Sequence, residues 1–214
     1  MENAHYFLHV TDTHLCFDAE APDICCTEQA LRSLYQTAFA WDHRPAFVLI
    51  TGDLVHEGTS ADYARAKTLL QELDEQYHTK TYPALGNHDN RENFNSAFRE
   101  QASDQPVDYC VQNEWLRWIV LDSSCGQVIG QLSGSQLAWL EQELCDPTDC
   151  PTILALHHPV YGTTTAETDA NNLATPDRLI RLLQDHPVDG ILCGHSHQLS
   201  LIHISEPTRP LYIS

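Results

Sequence analysis

The sequence predicts an α/β fold, on three observations: short apolar runs rich in β-branched residues, stretches of helical period between them, and a polar cluster closing each run. The runs are Tyr6 to Thr11, Ala46 to Thr51, Thr81 to Leu85, Trp115 to Leu121, Thr152 to Leu156 and Val188 to Cys193. Their apolar character predicts strands buried on both faces. Between them, Leu31, Leu34, Tyr35 and Ala38 form one helical stripe, Tyr63, Ala66, Leu70 and Leu73 a second, and Leu137, Leu140 and Leu144 a third. Thr175-Pro176-Asp177 reads as a helix start, with a hydroxyl N-cap, proline at the first position and an acid in the first turn.

The totals bound what such a chain can do. At 214 residues, with 42% hydrophobic and 19% charged residues and no repeat, it has the length and balance of one globular domain. Eleven basic against thirty acidic residues give a net charge of −19, which argues against nucleic acid and acidic membrane surfaces as partners. An anionic substrate would be repelled too, unless bound cations neutralise the acidic groups that meet it. No leader pattern and no apolar run of membrane-spanning length is visible, so the expectation is a cytoplasmic protein with no membrane partner. The eight cysteines contain no CxxC pair and are read as thiols without assigned chemistry.

In open α/β sheets, ligands collect beyond the carboxyl ends of the strands. Five strand ends here carry metal-type ligands: Asp12-Thr-His14, Gly52-Asp53, Gly86-Asn87-His88-Asp89, His157-His158-Pro159 and Gly194-His195-Ser-His197. Each motif alone is weak; their joint occurrence along one chain argues for a built site. Together they resemble the motif set of calcineurin-like metallophosphoesterases, over Phe7 to Gln198. That resemblance implies a four-layer αββα sandwich, where composition and periodicity support only α/β.

The resemblance further implies two divalent ions, of Fe, Mn, Zn or Co. Asp12, His14, Asp53 and His197 would hold the first, and Asp53, Asn87, His157 and His195 the second. Asp53 would bridge them, since a shared carboxylate screens two cations held a few ångströms apart. The implied reaction is hydrolysis of a phosphate ester by a metal-bridging hydroxide. His88 is the candidate to protonate the departing oxygen, with Asp89 beside it to fix its tautomer, and Asn87, His88 and Arg91 are candidates to contact substrate. His158 is expected to be a pocket wall or a core imidazole, and His56 a solvated loop residue.

Within that superfamily the chain is most similar to bacterial 3′,5′-cyclic-nucleotide phosphodiesterases, through VTDTHL, GDLVHEGTSADY, QLSGSQLAWLEQEL and GHSHQ. A small-molecule diester such as cyclic AMP is the implied substrate. Those relatives carry a D-x-x-x-L-x-N pattern after the HHP motif; here Asp169 and Leu173 fit, and Thr175 replaces the asparagine. Another small phosphoesterase, acting on glycerophosphodiesters or phosphomonoesters, and a non-catalytic metal-binding scaffold are the alternatives. After Gln198 the pattern stops. Leu199 to Arg209 resemble one reading frame of a sequencing-library adapter, so residues 1–198 are read as the domain, 199–214 as a non-native tail, and the C-terminal strands as missing.

Overall fold

Residues 5–17, 27–160 and 172–197, with the backbone of 201–202 and 211–213, are described by a computed structural model of the chain. Three parallel strands form a first sheet in the order β1 (Leu8–Val10), β2 (Val48–Thr51), β3 (Thr81–Ala84). Helices α1 (Thr27–Ala38) and α2 (Ser60–Tyr77) make the crossovers, and α3 (Arg91–Phe98) follows β3. The second sheet holds β4 (Tyr109–Gln112), β5 (Arg117–Leu121), β6 (Thr152–Leu156) and β7 (Gly190–Leu192), with α4 (Gly134–Cys145) and α5 (Pro176–Asp185) between its parallel strands.

Period-two alternation explains how each strand serves two layers. In β2, Val48 and Ile50 pack with Leu31, Tyr35, Leu70 and Leu73 of α1 and α2, whereas Leu49 turns the other way. In β5, Ile119 and Leu121 pack with Leu137, Leu140, Leu179 and Leu183 of α4 and α5, whereas Trp118 and Val120 meet Leu49, Ala84 and Ala155 between the sheets. Phe47 stacks on Trp118 at 4.2 Å between ring centroids in that middle layer. The result is the αββα order, and it accounts for strands that read as apolar throughout.

The local signals hold unevenly. Thr59 and Asp62 form a reciprocal capping box at the start of α2, as do Ser133 and Gln136 at α4. Thr175 does precede α5, with Pro176 at its first position, but its hydroxyl makes no capping bond. Leu34 of the first predicted stripe is 37% exposed, because Leu31, Tyr35 and Ala38 already fill the face of α1 against the sheet. The strand expected from Trp115 begins at Arg117: the Asn113 side chain accepts from Trp115 N and Leu116 N and closes a turn. That turn joins β5 to β4, an antiparallel strand that the sequence reading missed, since Tyr-Cys-Val-Gln is too short and mixed to show a period.

Beyond Gln198, where no strand period was expected, the backbone of Leu201–Ile202 (β8) and Leu211–Ile213 (β9) extends the second sheet beside β7, in the order β7-β9-β8. No helix among the described residues is long and apolar enough to cross a membrane.

His9 of β1 supplies a test of this core. Its Nε2 lies 2.8 Å from Thr51 Oγ1, and burial pulls its pKa down to about 4. The folded state therefore keeps His9 neutral, while the unfolded chain binds a proton as pH falls below about 6.5. The stability so contributed is present above that value and lost as pH falls toward 4. In chelator, urea denaturation at pH 7 and pH 5 is expected to differ by ~2 kcal/mol on account of this group, and His9→Gln is expected to remove that part of the difference.

Candidate metal centre

The seven predicted ligands meet at the carboxyl ends of the strands, where loops from both sheets converge. The first-sheet loops are tied together by Asp12 N donating to Gly52 O at 3.2 Å and His14 N to Asp53 O at 2.8 Å; across the second sheet, Gly194 N donates to His157 O at 2.9 Å. Asp12, His14, Asp53, His195 and His197 have φ of 53°, 40°, 47°, 72° and 50°, the left-handed region in which a side chain costs about 1–3 kcal/mol. Among described non-glycine residues only His78 and Glu100 share that conformation, so backbone strain concentrates on the predicted ligands. Each kinked strand end turns its side chain into the shared crevice.

Glycines make room for this. At Gly52, φ is +90° and a Cβ would fall 2.5 Å from His157 Nδ1. At Gly86 a Cβ would fall 2.2 Å from Asp53 Oδ1. Larger residues at either position would displace a ligand.

Asp53 stands at the centre and is 2% exposed. Its Oδ1 accepts from His88 N at 2.9 Å, while Oδ2 lies 3.5 Å from His14 Nε2 and 3.4 Å from His157 Nε2. On the His14 side, His197 Nε2 is 3.3 Å from His14 Nε2 and 3.2 Å from Asp12 Oδ1. On the other side, His157 Nε2 is 3.1 Å from Asn87 Oδ1 and 3.2 Å from His195 Nδ1. Asp12 is oriented by His195 N, which donates to Oδ1 and Oδ2 at 3.1 and 3.0 Å.

These donors suit cations. His157 Nδ1 donates to Thr51 O at 2.9 Å, so the neutral ring directs an Nε2 lone pair at the carboxylate and amide oxygens opposite it. Lone pairs facing each other repel unless a positive charge lies between them. The separations also match the edges, about 3.3 Å, of a tetrahedron of N and O ligands around a zinc-sized ion. Protons respond to the same field. Burial lowers the His157 pKa, but the bond to Asp53 and its charge outweigh that and the ring ends above its ordinary value. Burial raises the Asp53 carboxyl, but His157, the His88 N–H and His14 carry it well below the usual carboxylate range. A divalent cation would displace the proton from between them. His14, by contrast, is lowered by burial.

Several sequence assignments need correction. Asp89 does not orient His88. It is buried beneath the loop and accepts from Gly86 N, Leu54 N, Val55 N and Tyr63 OH at 2.9 to 3.3 Å, and burial raises its pKa to about 6. The turn that carries both residues sends their side chains in different directions, and His88 Nδ1 instead donates to the His56 carbonyl at 3.0 Å. Arg91 does not offer its fork to substrate: Nε donates to Asp122 Oδ2 at 2.7 Å, and an amino group donates to Ser124 O. His56 lies in the loop after β2 with its side chain 27% exposed, and it also packs edge-on to His14 and stacks with His88. His158 is the core imidazole expected, fully buried between Ser123 Oγ at 2.8 Å and Val128 O at 3.2 Å; burial and the neighbouring His157 and His195 lower its pKa to about 3.

The sequence reading also missed Asp122. It holds Arg91, Val107 N and Ser124, and so fixes the loops beside the site. Its signal was available, since it closes a strand as Asp12 and Asp53 do.

The family model for calcineurin-like phosphoesterases matches residues 5–199. The chain belongs to that family. Among its relatives, a probable cyclic nucleotide phosphodiesterase from Rhodococcus erythropolis is 36% identical over 90% of this chain and 65% of its own length. A glycerophosphodiester phosphodiesterase from Enterobacter lignolyticus is 32% identical over 77% of this chain and 60% of its own length. The chain thus spans just under two thirds of these curated relatives. Among solved structures, a dimetal phosphatase from Danio rerio superposes with a TM-score of 0.76 at 16% identity, covering 99% of this chain and 87% of that one, a likeness of fold. Membership accords with the αββα order and with the strand-end positions of the family motifs.

Proposed function

We propose that this chain carries the catalytic domain of a metal-dependent phosphodiesterase acting on small phosphate diesters, with 3′,5′-cyclic nucleotides such as cyclic AMP as the favoured class. The observation that supports this is the Asp53 carboxylate, set midway between two clusters of nitrogen and oxygen donors. In this reading Asp12, His14, Asp53 and His197 hold one cation, and Asp53, Asn87, His157 and His195 a second. Bound there, divalent cations would supply Lewis-acid charge to a phosphate and acidify water.

The chain's own residues do the remaining work. Asp53 fixes the spacing of the two positions, and Thr51 O keeps His157 in the tautomer that offers Nε2. His88, its Nδ1 committed to the His56 carbonyl, leaves Nε2 as the nitrogen that, with the ring in its imidazolium form, would hand a proton to a departing oxygen. The names of relatives include both cyclic-nucleotide and glycerophosphodiester phosphodiesterases, so glycerophosphodiesters are the second reading. In the domain reading that accompanies this, residues 1–198 carry the site and 199–214 are a non-native tail, which sequencing of the source locus tests.

The test is hydrolysis of bis(p-nitrophenyl) phosphate, p-nitrophenyl phosphate, cyclic AMP and glycerophosphoethanolamine by chelator-stripped protein resupplied with Mn, Fe, Zn or Co. Metal-dependent turnover of the diesters, with cyclic AMP ahead of glycerophosphoethanolamine, is expected. The reverse order moves the assignment to the second reading, and monoester preference overturns the diesterase.

A further inference from the structure

Three imidazoles stand together on the loops of the first sheet: His14 after β1, His56 after β2 and His88 after β3. One ring nitrogen from each lies within 4.8 Å of the other two. The ring centroids are 5.6 Å apart for His14 and His56, 4.7 Å for His14 and His88, and 5.4 Å for His56 and His88.

Their hydrogen bonding leaves lone pairs uncommitted. His88 donates from Nδ1 to the His56 carbonyl, so its neutral ring bears a lone pair on Nε2. Glu57 Oε1 lies 3.6 Å from His56 Nε2, on one side of that ring, while His56 Nδ1 is buried with no hydrogen-bond partner. His14 Nδ1 is likewise buried and without a hydrogen-bond partner. Buried ring nitrogens are ordinarily satisfied; a cation within the trio would satisfy these two once each ring carries its proton on Nε2, which for His14 takes Nε2 away from the first metal position. Imidazole-only donor sets of this kind favour Zn, Cu, Ni or Co over Mg and Ca.

We propose that His14, His56 and His88 form an additional site for a divalent transition-metal ion of the zinc class. It shares His14 with the first metal position and takes the Nε2 lone pair of His88. A cation held there draws His14 from the first position and blocks proton transfer by His88, so it opposes turnover. That last consequence rests on the function proposed above; the site itself does not.

Diethyl pyrocarbonate acylation of the full chain, loaded with Mn and mapped residue by residue by mass spectrometry, reads the site without activity. Added Zn is expected to slow acylation of His56 about tenfold or more, with exposed His43 and His78 unaffected, and Mg to give no protection. In His56→Asn, Zn is expected no longer to protect His88. Protection confined to His157, His195 and His197, with His56 acylated at its original rate, overturns the site. In the same preparations, Zn inhibition of diester hydrolysis is expected to need about tenfold more Zn in His56→Asn than in the parent. Equal inhibition in both overturns the opposing role. Absence of hydrolysis in the Mn-loaded parent would instead count against the proposed function, and the acylation pattern would still decide the site.

Discussion

Asp53→Ala is expected to lower metal-dependent diester hydrolysis by ~10³-fold or more, the scale of several kcal/mol of lost charge stabilisation. The carboxylate serves three partners at once: His88 N through Oδ1, and the His14 and His157 imidazoles, on either side, through Oδ2. Alanine removes the carboxylate oxygen that stands within 3.5 Å of both His14 Nε2 and His157 Nε2. Metal content measured after gel filtration is expected to fall with activity. Asp53→Asn separates charge from shape, because the amide oxygen can still accept from His88 N while the anion is lost. Near-parental turnover by Asp53→Asn would mean that the bridge is geometric and not electrostatic.

Asp89→Ala is expected to unfold the chain more easily, by about 3–5 kcal/mol, with a parental metal preference in whatever protein remains folded. Asp89 is 8% exposed as a residue; its carboxylate gathers three backbone N–H groups and the Tyr63 hydroxyl, and Tyr63 OH in turn accepts from Asn90 N. Removing it leaves those donors buried without an acceptor, and the loops after β2 and β3 lose the group that clamps them together. Urea denaturation of the metal-free protein checks this. A loss below about 1 kcal/mol would show that water replaces the carboxylate at little cost.

These two aspartates mark how far the sequence could be read. Both stand in glycine-containing motifs at strand ends, and residue type alone makes both candidates for the site. Asp53 does sit between the donor clusters. Asp89 turns out to be the support beneath them, and its neighbour His88 takes its orientation from a carbonyl thirty-two positions away. Adjacency along the chain does not give adjacency of side chains in a tight turn, since each φ and ψ redirects the next Cβ. Arg91 illustrates the same limit: a guanidinium near a phosphate-type site looked available for substrate, yet Asp122 from the other sheet engages it.

Sequence alone determined the α/β class, six of the strands, the helix that follows Thr175-Pro176 and the chemical kinds of the seven ligand candidates. Those are local properties: period, turn chemistry and the donor atoms that a residue type must carry. The tertiary structure decided the rest. It set which strands share a sheet, with β4 added where no period showed, and it set the strained backbone at Asp12, His14, Asp53, His195 and His197. It also brought His56 against His14 and His88, an arrangement no spacing could reveal. Such facts depend on distances between residues far apart in the chain, fixed only when the two sheets pack and their loops are drawn into one crevice.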